Sequence, residues 1–163
     1  TTMICHLLAH YGKTENITAV KTALYDDKNL FHEHFPGASD AGYLEIREVD
    51  PELRKDSGKY LAAGATESWF LAATTDNEDK VLGKITEISV TGNLMIVESN
   101  ALRKAIIPGL FVVVNRSDRE EKKSYRQISL YADLKVERGS VIFENIIRYI
   151  YICDHNWKLK PEL

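Results

Sequence analysis

The run from Ser124 to Cys153 constrains the fold most, because its hydrophobic spacing is the least ambiguous in the chain. Ile128, Leu130, Ala132, Leu134 and Val136 alternate with Gln127, Ser129, Tyr131, Asp133 and Lys135. A period of two predicts a strand with one face buried and the other wet. Glu137-Arg138-Gly139-Ser140 then predicts a turn, with Gly139 where a positive φ is easily met. The return run, Val141 to Cys153, is rich in β-branched and aromatic residues, as strands are. On a strand Val141, Phe143, Ile147, Tyr149 and Tyr151 share one face, while Ile146, Ile150 and Ile152 occupy the other. A strand apolar on both faces is covered twice. The expectation is a central hairpin with Leu130 buried and with a second layer, or a second subunit, over its return strand.

At 163 residues the chain is long enough for a single domain, 1–163, with a core that needs no staples. A formal charge of −3 gives no electrostatic reason to expect nucleic acid or an anionic membrane. The basic residues Arg116, Arg119, Lys122 and Lys123 are interleaved with Asp118, Glu120 and Glu121, which predicts a solvated loop. Cys5 and Cys153 stand far apart without CxxC spacing, so neither a zinc site nor a disulfide framework is expected. No apolar run approaches the roughly 20 residues that cross a bilayer. The start, Thr1 to Ile4, carries no basic region before an apolar core. A reduced, cytoplasmic setting follows as the expectation.

Residues 4 to 11 read as a short helix or strand ended by Gly12. Thr14 offers an N-cap, and Ile17, Val20 and Leu24 recur at helical spacing. Leu30, Phe31, His34 and Phe35 lie on one helical face before Pro36-Gly37. A brief strand is expected over 43–49, and a helix from Pro51 to about Ala63 with Gly64 as terminator. Strands then follow over Trp69–Thr74, Lys80–Val90, Leu94–Glu98 and Leu110–Val114, with Thr91-Gly92-Asn93 as a tight turn. Helices first and a meander afterwards predict an α+β domain, N-terminal helices packed on a mainly antiparallel sheet.

Chemistry is thinly marked. His32 and His34 would share a face on a strand but diverge on a helix, and this pair lacks the HxxxH spacing that supports zinc, so no metal is expected. There is no GxSxG elbow, phosphate-cradling glycine loop or dinucleotide fingerprint, and no cofactor is expected. Asp154-His155 reads as a strand end, and Trp69-Phe70 with Tyr149 and Tyr151 as core rather than a base-stacking platform.

Two stretches carry a resemblance. The segment Ile17 to Lys21, followed by Leu30-Phe31-His32-Glu33-His34-Phe35-Pro36-Gly37, resembles the approach to the His-Phe-Pro-Gly motif of the β-hydroxyacyl-acyl carrier protein dehydratases. Ala101 to Gly109, with Arg103 ahead of Pro108-Gly109, is similar to a later segment of that family. The resemblance implies a hot-dog fold, with His34 as the catalytic base. It also implies a carboxylate partner, for which Arg47 and Glu48 compete as the matching position; Glu48 carries the acid. Such chemistry needs a base near neutral pKa and an acid within reach of the leaving hydroxyl.

Without a catalytic constellation of its own, the sequence predicts a domain that binds a small apolar or acyl ligand or a partner chain. The resemblance supplies the alternative of an acyl-thioester enzyme using His34 and Glu48. The two-faced return strand predicts a homodimer. Neither nucleic acid nor membrane is an expected partner.

Overall fold

The computed structural model describes residues 1–38, 42–52, 55–115 and 127–161. They form two compact units, Thr1–Ala101 and Leu102–Leu163. The first holds helices α1 (Thr2–Tyr11), α2 (Lys28–His34), α3 (Asp56–Ala62) and α4 (Glu78–Ser89). Its strands are β1 (Ile17–Tyr25), β2 (Tyr43–Glu48), β3 (Glu67–Thr74) and β4 (Leu94–Glu98). They lie in one sheet in the order β2-β3-β1-β4.

The class is α+β, with a mixed sheet. Antiparallel pairing joins β2 to β3. The expected predominance of antiparallel pairing does not extend to the centre: β1 runs parallel to both β3 and β4. The reason is α4. The segment Lys80–Val90, expected as a strand, is most of this helix. Its β-branched content favours a strand, but Val81, Ile85 and Ile88 are its buried residues, a 3.6-residue stripe behind the acidic first turn Glu78-Asp79. A helix between β3 and β4 is a crossover, and crossovers join parallel strands.

The reverse substitution occurs at β1. Ile17, Val20 and Leu24, read at helical spacing, lie on a strand whose first four residues are all buried. Covered on both faces, such a strand shows no period of two, and chance spacing then mimics a helix. Lys21 of β1 lies level with Phe70 of β3 and with Glu98, the last residue of β4. One face carries α3, whose Ser57 carbonyl accepts from Ser68 Oγ at 2.8 Å. The neighbouring Trp69 points to the opposite face, where Lys84 of α4 sits 4.4 Å from its ring centroid. Lys84 also pairs with Glu87 at 2.9 Å and with Glu45 of β2 at 3.6 Å, pinning α4 to the sheet edge.

Helix α1 is amphipathic, burying Met3, Ile4, Leu7 and Leu8, and packs on α3. Gly12 ends it with its Cα against the Gly64 carbonyl, where Gly64 holds a φ of +109°. The N-terminus of α2 is capped by Asp27, whose Oδ1 accepts from Asn29 N at 2.7 Å. Phe31 on that helix is fully buried against Tyr25 and Phe35. Helix α3 starts at Asp56, later than the expected Pro51, and Gly64 follows its end.

In the second unit β5 (Val112–Asn115) pairs parallel with β6 (Leu134–Glu137). A hairpin of β7 (Ile150–Cys153) and β8 (Asn156–Leu159) stands beside them in sequence. Asp154 and His155 take φ of 50° and 55°, the mirror-image turn that a two-residue hairpin loop requires. Leu102, Val113, Leu134, Val136, Phe143, Ile146 and Ile150 are the unit's buried apolar residues among those described.

The expected 124–153 hairpin is therefore corrected. Gly139 does take a positive φ of 80°, but Ser140 then caps a helical turn, Val141–Glu144, its Oγ accepting from Phe143 N at 3.2 Å. A 3-10 turn follows over Ile146–Arg148. The cap and the two turns divert the β-prone run, so no strand with two apolar faces exists over 141–149, and the premise for a homodimer is absent there. The charged loop Arg116–Lys123 and the start of the expected strand, Ser124–Arg126, lie outside the described residues. Leu130, expected in the core, is 77% exposed. Leu130→Ser should accordingly change unfolding free energy by no more than about 0.5 kcal/mol. Denaturant unfolding that shows a loss above about 2 kcal/mol would put Leu130 back in a core.

Candidate functional site

Two charges stand in otherwise uncharged strands. Lys21 interrupts Ile17–Leu24, and Glu98 closes Leu94–Val97. Parallel register sets them side by side, and Lys21 Nζ donates to Glu98 Oε1 in a short contact. From α3, Asp56 Oδ2 reaches Lys21 Nζ at 3.4 Å, and Tyr60 Oη donates to Glu98 Oε2 in another short contact. The Thr1 amine lies 3.0 Å from the same carboxylate, and Lys59 Nζ lies 3.3 Å from Asp56 Oδ1. Tyr60 is fully buried, while the Glu98 side chain keeps 26% of its exposure.

This cluster borders a cleft of about 300 Å³ lined by Lys21, Lys55, Asp56, Ser57 and Phe70. The cleft lies on the α3 face of the sheet at mid-strand, at Lys21 of β1 and Phe70 of β3. Glu98, the last residue of β4, is level with Lys21 and borders it.

The electrostatics hold Glu98, Tyr60 and Asp56 each in one protonation state. Burial pushes the Glu98 carboxyl upward, but hydrogen bonds from Lys21 and Tyr60, with the charges of the Thr1 amine and Lys21, outweigh it and hold the pKa down to about 2. Burial, the Glu98 charge and its hydrogen bond push the Tyr60 phenol far above its ordinary value. Asp56 is raised by burial but lowered more by its hydrogen bonds and the charge of Lys21, and ends below its ordinary value. None of these three groups is poised near neutrality for proton transfer.

A pH dependence follows. A carboxylate with a depressed folded pKa stabilises the fold fully above its unfolded value and loses that contribution as pH falls through the folded value. For Glu98 the window runs from 4.5 down to about 2, and Asp56 shifts in the same direction. Thermal unfolding followed between pH 6 and pH 3 should show a falling midpoint, and Glu98→Gln should flatten that fall. An unchanged slope in the variant would remove Glu98 from the acid response.

The residues singled out from the resemblance sit elsewhere. His34 lies exposed at the end of α2, its Nδ1 2.9 Å from the Leu30 carbonyl and its ring 5.4 Å from that of Tyr25. Glu48 ends β2 and is occupied locally: Oε1 accepts from Val49 N at 3.1 Å and Asp50 N at 3.3 Å, and Oε2 accepts from Ser57 Oγ at 3.1 Å. Neither lines the cleft. Helical geometry turns His32 and His34 apart, and among the described residues no three His, Cys, Asp or Glu side chains converge to hold a metal. No helix among the described residues is long and apolar enough to cross a membrane.

Lys21, Asp56, Tyr60 and Glu98 were missed in the sequence. A signal existed: single charges of opposite sign in two otherwise uncharged runs that register as neighbouring strands. It is legible only once β1 is read as a strand. Comparison with protein-family models, curated proteins and solved structures found no match for the chain.

Proposed function

We propose that the first unit is a binding module for a small molecule, seated in the cleft between α3 and the sheet. The observation that carries this reading is the cleft itself, about 300 Å³, walled by β1, β3 and the start of α3 beside the Lys21–Glu98–Asp56 cluster. That volume lies at the lower end for small-molecule sites and fits about one ring system or a short chain. The frame of Glu98, Asp56 and Tyr60 supports binding over catalysis, because its carboxylates are charged and its phenol neutral across the physiological range. The alternative, acyl-thioester chemistry with His34 as base and Glu48 as acid, draws on residues that stand outside this cleft.

The test is a thermal-shift screen of small metabolite-sized compounds, followed by backbone amide chemical shifts. A ligand present at 100 times its Kd stabilises the folded state by about 2.7 kcal/mol. Stabilising compounds should perturb the amides of Lys21, Ser57 and Phe70. Hits that perturb only residues remote from these, or a screen with none, would count against the cleft.

A further inference from the structure

We propose that the ligand of this cleft is a small aromatic monoanion, its ring against Phe70 and its charge at Lys55; this rests on the reading of the cleft as a ligand site. The assignment comes from which lining groups are already satisfied. Lys21 is held by Glu98 and Asp56. Asp56 is neutralised in turn by Lys21 and Lys59. Ser57 donates its hydroxyl to Glu48 and its carbonyl accepts from Ser68. A cation entering the cleft therefore finds no unpaired carboxylate on its wall.

Lys55 differs. Its side chain is exposed at the start of α3 and has no acidic partner within ion-pair distance among the described residues. The lining carries two lysines against one aspartate, so its formal charge is +1. An ammonium without a counter-ion at the rim of such a cleft is an anchor for one negative group.

The floor is aromatic. Phe70 is half-buried and its ring centroid lies 5.6 Å from that of Phe35. Phe35 continues into Phe31 at 5.3 Å and Tyr25 at 5.8 Å, so the floor is backed by further aromatic rings. A planar ring adds to such a stack in offset or edge-on geometry. An aliphatic body of equal volume lacks that term. The cleft volume limits the body to about one ring system.

The experiment uses the whole chain and four probes: benzoate, benzyl alcohol, benzylammonium and acetate, each titrated against amide chemical shifts. Benzoate should perturb Lys55, Ser57 and Phe70 most strongly, acetate and benzylammonium least. Lys55→Gln should weaken benzoate about two- to fivefold, the range expected of an exposed ion pair, and leave benzyl alcohol unaffected. Phe70→Leu should weaken both ring probes by about three- to tenfold. Far-ultraviolet circular dichroism checks that each variant keeps its fold, and Lys55, being exposed, gives the arm least exposed to folding defects. Equal or tighter binding of benzylammonium or benzyl alcohol at these residues would overturn the charge assignment while leaving the cleft a ligand site. Acetate matching benzoate would overturn the ring. No perturbation here by any probe overturns the inference, and the broader screen above then decides whether the cleft binds at all.

Discussion

Phe31→Ala should lower the stability of the first unit by about 3–5 kcal/mol, the usual cost of emptying a core aromatic position. Phe31 is fully buried, and its ring packs on Tyr25 at 5.8 Å, Phe35 at 5.3 Å and His32 at 5.4 Å. Removing it takes away the transfer energy of the ring and leaves a hole walled by side chains that are themselves stacked, which limits collapse. The loss should appear as a shift in denaturant midpoint with little change in slope. Phe31→Leu keeps most of the volume and should cost clearly less. A shift of under about 1 kcal/mol for the alanine variant would mean that α2 does not close this core. The aromatic floor of the cleft depends on the same stack through Phe35 and Phe70, so the variant should also weaken ring binding.

Gly12→Ala should be the other severe change, at about 3 kcal/mol or more, the upper end of the overpacking range. The substitution looks mild, since Gly12 has an ordinary φ of −64° and alanine favours helices. Its added Cβ, however, would stand 2.7 Å from the Leu8 carbonyl oxygen and closer still to that of Gly64. Both obstacles are backbone, and neither can swing aside as the tip of a long side chain does. Relief requires α1 to move away from the segment that follows α3. Gly83→Ala is the control: a Cβ there meets nothing within 4 Å, and in a helix interior alanine should stabilise by about 0.5–1 kcal/mol. Thermal unfolding of the two variants should therefore move in opposite directions. Equal and small effects would show that α1 and Gly64 are not in contact in solution.

Much of the local structure was legible where period and punctuation agreed. The α2 segment announced itself through Leu30, Phe31, His34 and Phe35 and the Pro36-Gly37 stop. β2 and β3 fell close to their expected bounds, and Gly64, Gly92 and Gly139 take the positive φ that their places at helix ends and turns suggested. These features depend on residues a few positions apart, so a one-dimensional reading contains them. The α+β class followed from them as well.

What the sequence could not determine was decided by layers and pairing. β1 is buried on both faces, which erases the period that marks a strand, and α4 is rich in the β-branched residues that suggest one. Exchanging those two elements turns an expected antiparallel meander into β1 flanked by parallel partners, and only the tertiary structure made that exchange. At Val141 a serine cap outweighed β-propensity, since a local hydrogen bond forms before any strand partner is available. The candidate site lay beyond reach for the same reason. His34 and Glu48 were conspicuous in sequence, whereas Lys21 and Glu98 stand 77 residues apart. Their meeting depends on the register of β1 with β4, and a register between distant strands is set by the packing of the whole sheet rather than by either segment.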